Sequence, residues 1–141
     1  MATRSIIAKL DEKGVEAIYC HYDGYLSNNG KILDQHYADE DKVNELLAGG
    51  DISSLKDTIE DTIFYMRDRG EKYKQAEQLE DESALLEHAF EYYDANVVYM
   101  YAFGSWYVYD NSNAIGNTSY QFIELEEALY VTDYDYDCNI I

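Results

Sequence analysis

From residue 75 to residue 141 the chain has no lysine and no arginine, yet this stretch carries 14 of the protein's 29 acidic residues. All 10 basic residues lie before it. A segment of this kind cannot cross-link itself with ion pairs, and its own repulsion opposes compaction. Whatever it folds into must be held by apolar burial and backbone hydrogen bonds. The means are present, because the chain has 16 Tyr, 4 Phe and 1 Trp. That aromatic load argues against a disordered acidic tail. The net charge of −19 disfavours nucleic acid and anionic membranes as direct partners and favours basic ones.

At 141 residues, with no proline and no internal repeat, a single domain spanning 1–141 is expected, with a strongly acidic second half at 75–141. RSIIAKL (4–10) and VEAIYCH (15–21) flank the turn-forming DEKG and read as a β-hairpin. YDGYLSNNG (22–30) reads as a loop, with KILDQHY as a helical turn after it. DEDKVNELLAGG (39–50) reads as a short helix with Val43, Leu46 and Leu47 on one face and Gly49–Gly50 ending it. The spacing of Ile52, Leu55, Ile59, Ile63 and Met66 predicts a helix through about Asp61, with Ser54 and Asp57 as a capping box. TIFYM stays open between helix and strand, and RDRGEKYKQ (67–75) reads as an exposed connector.

Residues 76–94 predict the clearest helix. Leu79, Leu85, Leu86, Ala89, Phe90, Tyr92 and Tyr93 fall on one side, and Glu77, Glu80, Asp81, Glu87, Glu91 and Asp94 on the other, with Glu82 outside this division. NVVYMYAF (96–103) and WYVYD (106–110), joined at GS, suggest a second hairpin. SYQFIEL adds a strand and EEALY a helical turn. The fold class expected is α+β, an antiparallel sheet of about four to five strands with helices packed on one face.

RSII, then IYCHYDGYLSNNGKIL, then a helix and GDISSL, resembles a family of small proteins encoded by bacteriophages and prophages. The likeness covers mainly residues 4–55, in an R-S-x-I … I-Y-C-H-x-D-G-Y … N-G … L pattern. It implies a phage origin and carries no established activity. In composition the chain is also similar to the acidic DNA-mimic proteins with which phages block restriction and CRISPR enzymes.

Each candidate site competes with a plainer reading. Cys20, His21 and Asp23 suggest a nucleophile with its base, but neighbours in a strand face opposite ways, which leaves Cys20 in the core and His21 outside. His21, His36, His88 and the cysteines lack the ligand spacing of a zinc site, so no metal and no cofactor is expected. The tail YVTDYDYDCNII begins like a calcium loop, yet Cys138 stands where glycine is required, and the ninth position is already Ile141. As a strand, the tail sets Asp133, Asp135 and Asp137 on one face, about every 6.6–6.8 Å, and Tyr134 and Tyr136 on the other. It reads either as an edge guarded by charge or as a row of phosphate mimics. Tyr99, Tyr101, Tyr107 and Tyr109 are placed together on one face of the second hairpin. That face is either packed under helices or an exposed patch and candidate homodimer interface.

These readings lead to one preferred function. The chain is expected to be a non-enzymatic, phage-type inhibitor that fills the basic cleft of a host nucleic-acid-binding defence protein. Glu77, Glu80, Asp81, Glu87, Glu91, Asp94, Glu124, Glu126, Glu127 and the tail carboxylates would stand in for phosphates. The alternatives are a protein that sequesters a nucleotide signal with Arg4, Lys31, Arg67 and Arg69 around Tyr19, Tyr22 and Tyr25, an enzyme centred on His21 and Asp23, or a phage accessory protein whose acidity only keeps it soluble. MATRSIIAKLDEKG lacks the apolar core of a signal peptide, and no window approaches a membrane span. The expected location is the host cytoplasm.

Overall fold

A computed structural model describes residues 3–72, 75–110 and 122–130. The class is α+β, and the sheet is larger than expected and mixed. Eight strands form it: β1 (Ser5–Asp11), β2 (Gly14–Cys20), β3 (Ile52–Ser54), β4 (Ile63–Phe64), β5 (Glu77–Leu79), β6 (Val97–Ala102), β7 (Ser105–Asp110) and β8 (Ile123–Glu124). Their order is β4-β3-β2-β1-β6-β7-β8, with β5 sharing the outer edge of β2. β1 pairs parallel with β6, and β2 pairs parallel with β3, while the other pairs are antiparallel.

Helices cover both faces of the sheet, not one. The first face receives α1 (Lys31–His36), α2 (Glu40–Ala48) and α5, residues 125–130. Its core joins Ile7, Ile18, Cys20, Val97 and Tyr99 to Leu33, Val43, Leu46, Leu125 and Leu129. The second face receives α4 (Glu82–Glu87) and a π-type turn, His88–Tyr92. There Ile6, Ala8, Val15, Ala17, Val98 and Met100 pack on Leu85 and Ala89. Since β1 and β6 are central and buried on both faces, they read as nearly continuous apolar runs.

The two expected hairpins form. β1 and β2 pair from Ser5↔Cys20 to Asp11↔Gly14, and β6 and β7 from Val97↔Asp110 to Ala102↔Ser105. α2 is capped by Asp39, whose side chain accepts from the Lys42 amide at 2.9 Å, and buries Val43, Leu46 and Leu47 as its spacing predicts. The loop expected at 22–30 is partly helical, with a π-type turn at Leu26–Gly30 running into α1.

Two expected helices are corrected. Residues 52–61 do not form one. Ile52–Ser54 extends beside β2, and the His21 and Tyr22 amides donate to the Ile52 and Ser53 carbonyls at 3.1 and 3.0 Å. Pairing with an existing strand satisfies the backbone there, and it outweighs a merely compatible helical spacing. Asp57 does not cap a helix and lies 3.6 Å from His36 Nε2. TIFYM gives both, the strand β4 and then a short helix, α3 at Tyr65–Arg69, that runs into the expected connector.

The helix expected over 76–94 is likewise broken. Glu77–Leu79 is a strand on the free edge of β2, and the helix starts only at Glu82. Gly14 allows this edge to close. At φ +122° it has a backbone that L side chains rarely adopt, and a Cβ there would lie 2.7 Å from the Leu79 carbonyl oxygen.

Candidate functional site: an acidic edge and an aromatic tip

The structure separates the predicted acidic residues by role. Glu77 is half-buried in β5. Asp81 caps α4, where its carboxylate accepts from the Ala84 amide at 2.9 Å. Glu80, Glu82, Glu87 and Glu91 are exposed along the edge made by β5, α4 and the π-type turn, and Asp94 is exposed just after it at φ 54°. Among the described residues the ion pairs are those of Lys9, His36 and Arg67, and none reaches these carboxylates. The edge stays in place because Leu85 and Ala89 beneath it are fully buried. Glu82, which fell outside the expected grouping, belongs to the exposed row.

Glu126 and Glu127 are exposed on α5, on the other side of the sheet, and Glu124 is exposed on the edge strand β8, opposite Tyr107. The buried α5 residues Leu125, Ala128 and Leu129 belong to the first core, whereas Leu85 and Ala89 belong to the second. The α5 carboxylates therefore do not merge with that edge into one row. Asp34 joins the α5 set in a cleft of about 170 Å³ with Glu124, Glu126, Tyr101 and Trp106. Burial, and secondarily the nearby Glu126, hold the Asp34 carboxyl above its ordinary range. Asp133, Tyr134, Asp135, Tyr136 and Asp137 lie outside the described residues.

The four hairpin tyrosines do not share a face. Across the two-residue turn Tyr99 opposes Val108 and Tyr101 opposes Trp106, while Tyr107 opposes Met100 and Tyr109 opposes Val98. Opposed residues share a face, so Tyr99 and Tyr101 enter the first core while Tyr107 and Tyr109 belong to the second. Tyr99, Tyr101 and Tyr109 are buried, which is the packed reading and not the exposed patch. Tyr99 donates from its hydroxyl to the Gly24 carbonyl at 2.6 Å, and burial raises that phenol well above its ordinary pKa.

The residues of the string IYCHYDGYLSNNG are largely structural. Cys20 is buried, and Asn29, also buried, donates to its Sγ at 3.3 Å and to Ser5 Oγ at 3.2 Å. Desolvation pushes the Cys20 thiol up to about 11, the opposite of an activated nucleophile. His21 is half-exposed, with Nδ1 2.7 Å from the Tyr19 hydroxyl. Tyr19 stacks on Tyr93 at 4.7 Å between ring centroids, and Tyr93 meets His88 edge-on. Among the described residues no cluster of His, Cys, Asp and Glu could hold a metal ion, and no helix is long and apolar enough to cross a membrane.

The four cations proposed for a ligand pocket have separate engagements. Arg67 bonds to three backbone carbonyls and to Asp68. Arg69 lies over the Tyr65 ring at 5.4 Å. Arg4 reaches the Tyr93 carbonyl, and Lys31 opens α1 on the first face.

One residue escaped the sequence reading altogether. Phe103 is 89% exposed, the most exposed large apolar side chain among the described residues. It occupies the first position of the β6–β7 turn at φ 53°, followed by Gly104 at φ 80°. Asparagine or aspartate before glycine is the usual choice there, and an aromatic residue costs about 1–2 kcal/mol by crowding its Cβ against the following carbonyl. The signal was the Phe-Gly dipeptide, hidden when the turn was read one residue later.

No known protein family, curated protein or solved structure matches this chain.

Proposed function

We propose that this protein is a phage-type acidic inhibitor that acts as a DNA mimic, occupying the basic cleft of a host nucleic-acid-binding defence protein such as a restriction or CRISPR effector. The observation that carries the proposal is the edge of β5 and α4, where Glu80, Glu82, Glu87 and Glu91 stand exposed with no cation among the described residues paired to them. Two buried side chains and a cap hold that edge to a sheet packed on both faces. Carboxylates held in place meet a partner's Arg and Lys without first being ordered, which preserves affinity. Association of this kind is fast, steered and weakened by salt. The mechanism is competition for the cleft, with no covalent step and no cofactor.

The α5 carboxylates lie on the opposite face, so they form a separate contact or none. The nucleotide-sequestering alternative needs its four cations in one pocket, and Arg67, turned onto backbone carbonyls, is not available to it.

The test is a pull-down from host lysate with nuclease present, washed at low and then high salt. A nucleic-acid-binding enzyme retained at low salt and released at high salt is the expected result. Partners that hold at high salt, or that disappear with nuclease, would show that the charge is incidental.

A further inference from the structure

Phe103 carries two costs without a return inside the fold. Its backbone sits in the left-handed region, and its ring is almost wholly in water. A rule broken locally with no packing gain points to a use outside the folded chain. The surroundings of the tip share this character. On one side lies a hollow of about 540 Å³ walled by Leu86, Met100, Tyr107 and Phe122, with Glu82 at its rim. On the other lies a hollow of about 490 Å³ that includes Leu10 and Tyr101, with Asp11, Glu12 and Glu40 around it. Lys9, the cation there, is already 3.0 Å from Glu40 and 3.9 Å from Asp11. The tip is thus an apolar knob between two partly apolar hollows inside an anionic ring.

We propose that the Phe103 tip and its flanking hollows are the apolar anchor of a protein-docking surface, whose partner offers an apolar pocket ringed by lysine and arginine. Charge complementarity selects this occupant over a second copy, because self-association would bring Glu12, Glu40 and Glu82 against their own equivalents. The anchor rests on the inhibitor reading: the carboxylates steer, and Phe103 supplies the desolvated contact that typically dominates binding energy. Glu82 belongs to both the acidic edge and the rim of the first hollow, which makes one surface of them.

Two variants and two probes test it. Phe103→Asn suits the left-handed backbone and removes the ring, and Glu12→Lys with Glu82→Lys reverses the rim. The probes are a synthetic amphipathic Lys/Leu helix and an oligolysine of equal length, titrated calorimetrically at low salt. Wild type should prefer the Lys/Leu helix. Phe103→Asn should weaken that binding at least about tenfold, leave oligolysine binding unchanged and melt no lower than wild type. The charge reversal should weaken both probes. Three results overturn the anchor: no binding of the Lys/Leu helix by wild type, equal binding by Phe103→Asn, or a Phe103-dependent dimer in sedimentation. A clear drop in melting temperature on Phe103→Asn would do the same, by showing that the ring is structural. Loss with the charge reversal alone removes the anchor and leaves the inhibitor reading standing. Loss with Phe103→Asn alone overturns the basic ring of this proposal and leaves the inhibitor reading, which rests on Glu80, Glu87 and Glu91 as well, standing.

Discussion

The loop closed by Arg67 and the edge formed by β5 and α4 handle charge in opposite ways. In the loop one guanidinium donates to the carbonyls of Ile59, Glu60 and Thr62 at 3.0, 3.1 and 2.6 Å and grips both oxygens of Asp68. It also lies over the Phe64 ring at 4.7 Å. Charge there does structural work, satisfying carbonyls that no strand or helix reaches. Along the edge, carboxylates outnumber every other charge, and among the described residues no cation answers them. Apolar burial and backbone pairing hold that edge, as the absence of Lys and Arg after residue 74 required. The contrast separates charge the fold uses from charge it only tolerates.

The largest effect should come from the apolar anchor of the edge. Leu85→Ala removes a fully buried side chain and should cost about 3 kcal/mol, read by chemical denaturation. A loss below about 1 kcal/mol would mean that burial is not what holds α4.

Next comes a pH effect confined to the first core. Burial raises the Cys20 thiol from 9.0 to about 11, so the folded state resists ionisation that the unfolded chain permits. The stability at stake is fully present below pH 9.0 and is lost as pH rises toward about 11. Two units correspond to about 2–3 kcal/mol. Cys20→Ala should flatten this part of the stability–pH curve, measured by urea unfolding between those pH values, and native wild type should be slow to react with thiol reagents at neutral pH.

Arg67→Ala should cost about 2 kcal/mol, since it leaves three carbonyls without their charged donor. Arg67→Lys should recover little, because one ammonium cannot span them. The Asp68 carboxyl is held below its ordinary range, first by Arg67 and then by the Phe64 amide. Its contribution is therefore present at neutral pH and is lost as pH falls through that lowered value, and the variant should show a shallower acid limb. Protease sensitivity of residues 56–62 reports the same loop directly.

The smallest effect sharpens the contrast most. Neutralising Glu87 and Glu91 to Gln should change stability by no more than about 0.5 kcal/mol each, toward greater stability as repulsion falls. A destabilisation larger than that would place these carboxylates with Arg67, among the charges the fold needs.

Much of this architecture was legible in the residues. Both hairpins and α2 follow from alternation, turn chemistry and the Val43, Leu46, Leu47 spacing. Misreadings arose where a segment met an existing strand. Ile52 and Leu55, or Leu79 and Leu85, fit a helical spacing, but spacing does not reveal that the outer edge of β2 accepts both segments. The same gap hid the parallel pairs β1–β6 and β2–β3, which join distant segments. Placing the four tyrosines on one face was a different error, since a two-residue turn sets odd-numbered residues opposite even-numbered ones. The acidic edge was half legible: its charges were plain, but Asp81 as a cap, Glu77 in a strand and the separation of Glu126 and Glu127 needed the fold.

One variant bears most directly on the division between charge that folds and charge that binds. Glu80, Glu82, Glu87 and Glu91 are changed together to Gln, and both the melting temperature and the affinity for the protein captured from host lysate are measured across salt. A melting temperature equal to or above that of wild type, with affinity reduced at least about a hundredfold at low salt and a flattened salt dependence, is the predicted result. Unchanged affinity, or a lost fold, would contradict it.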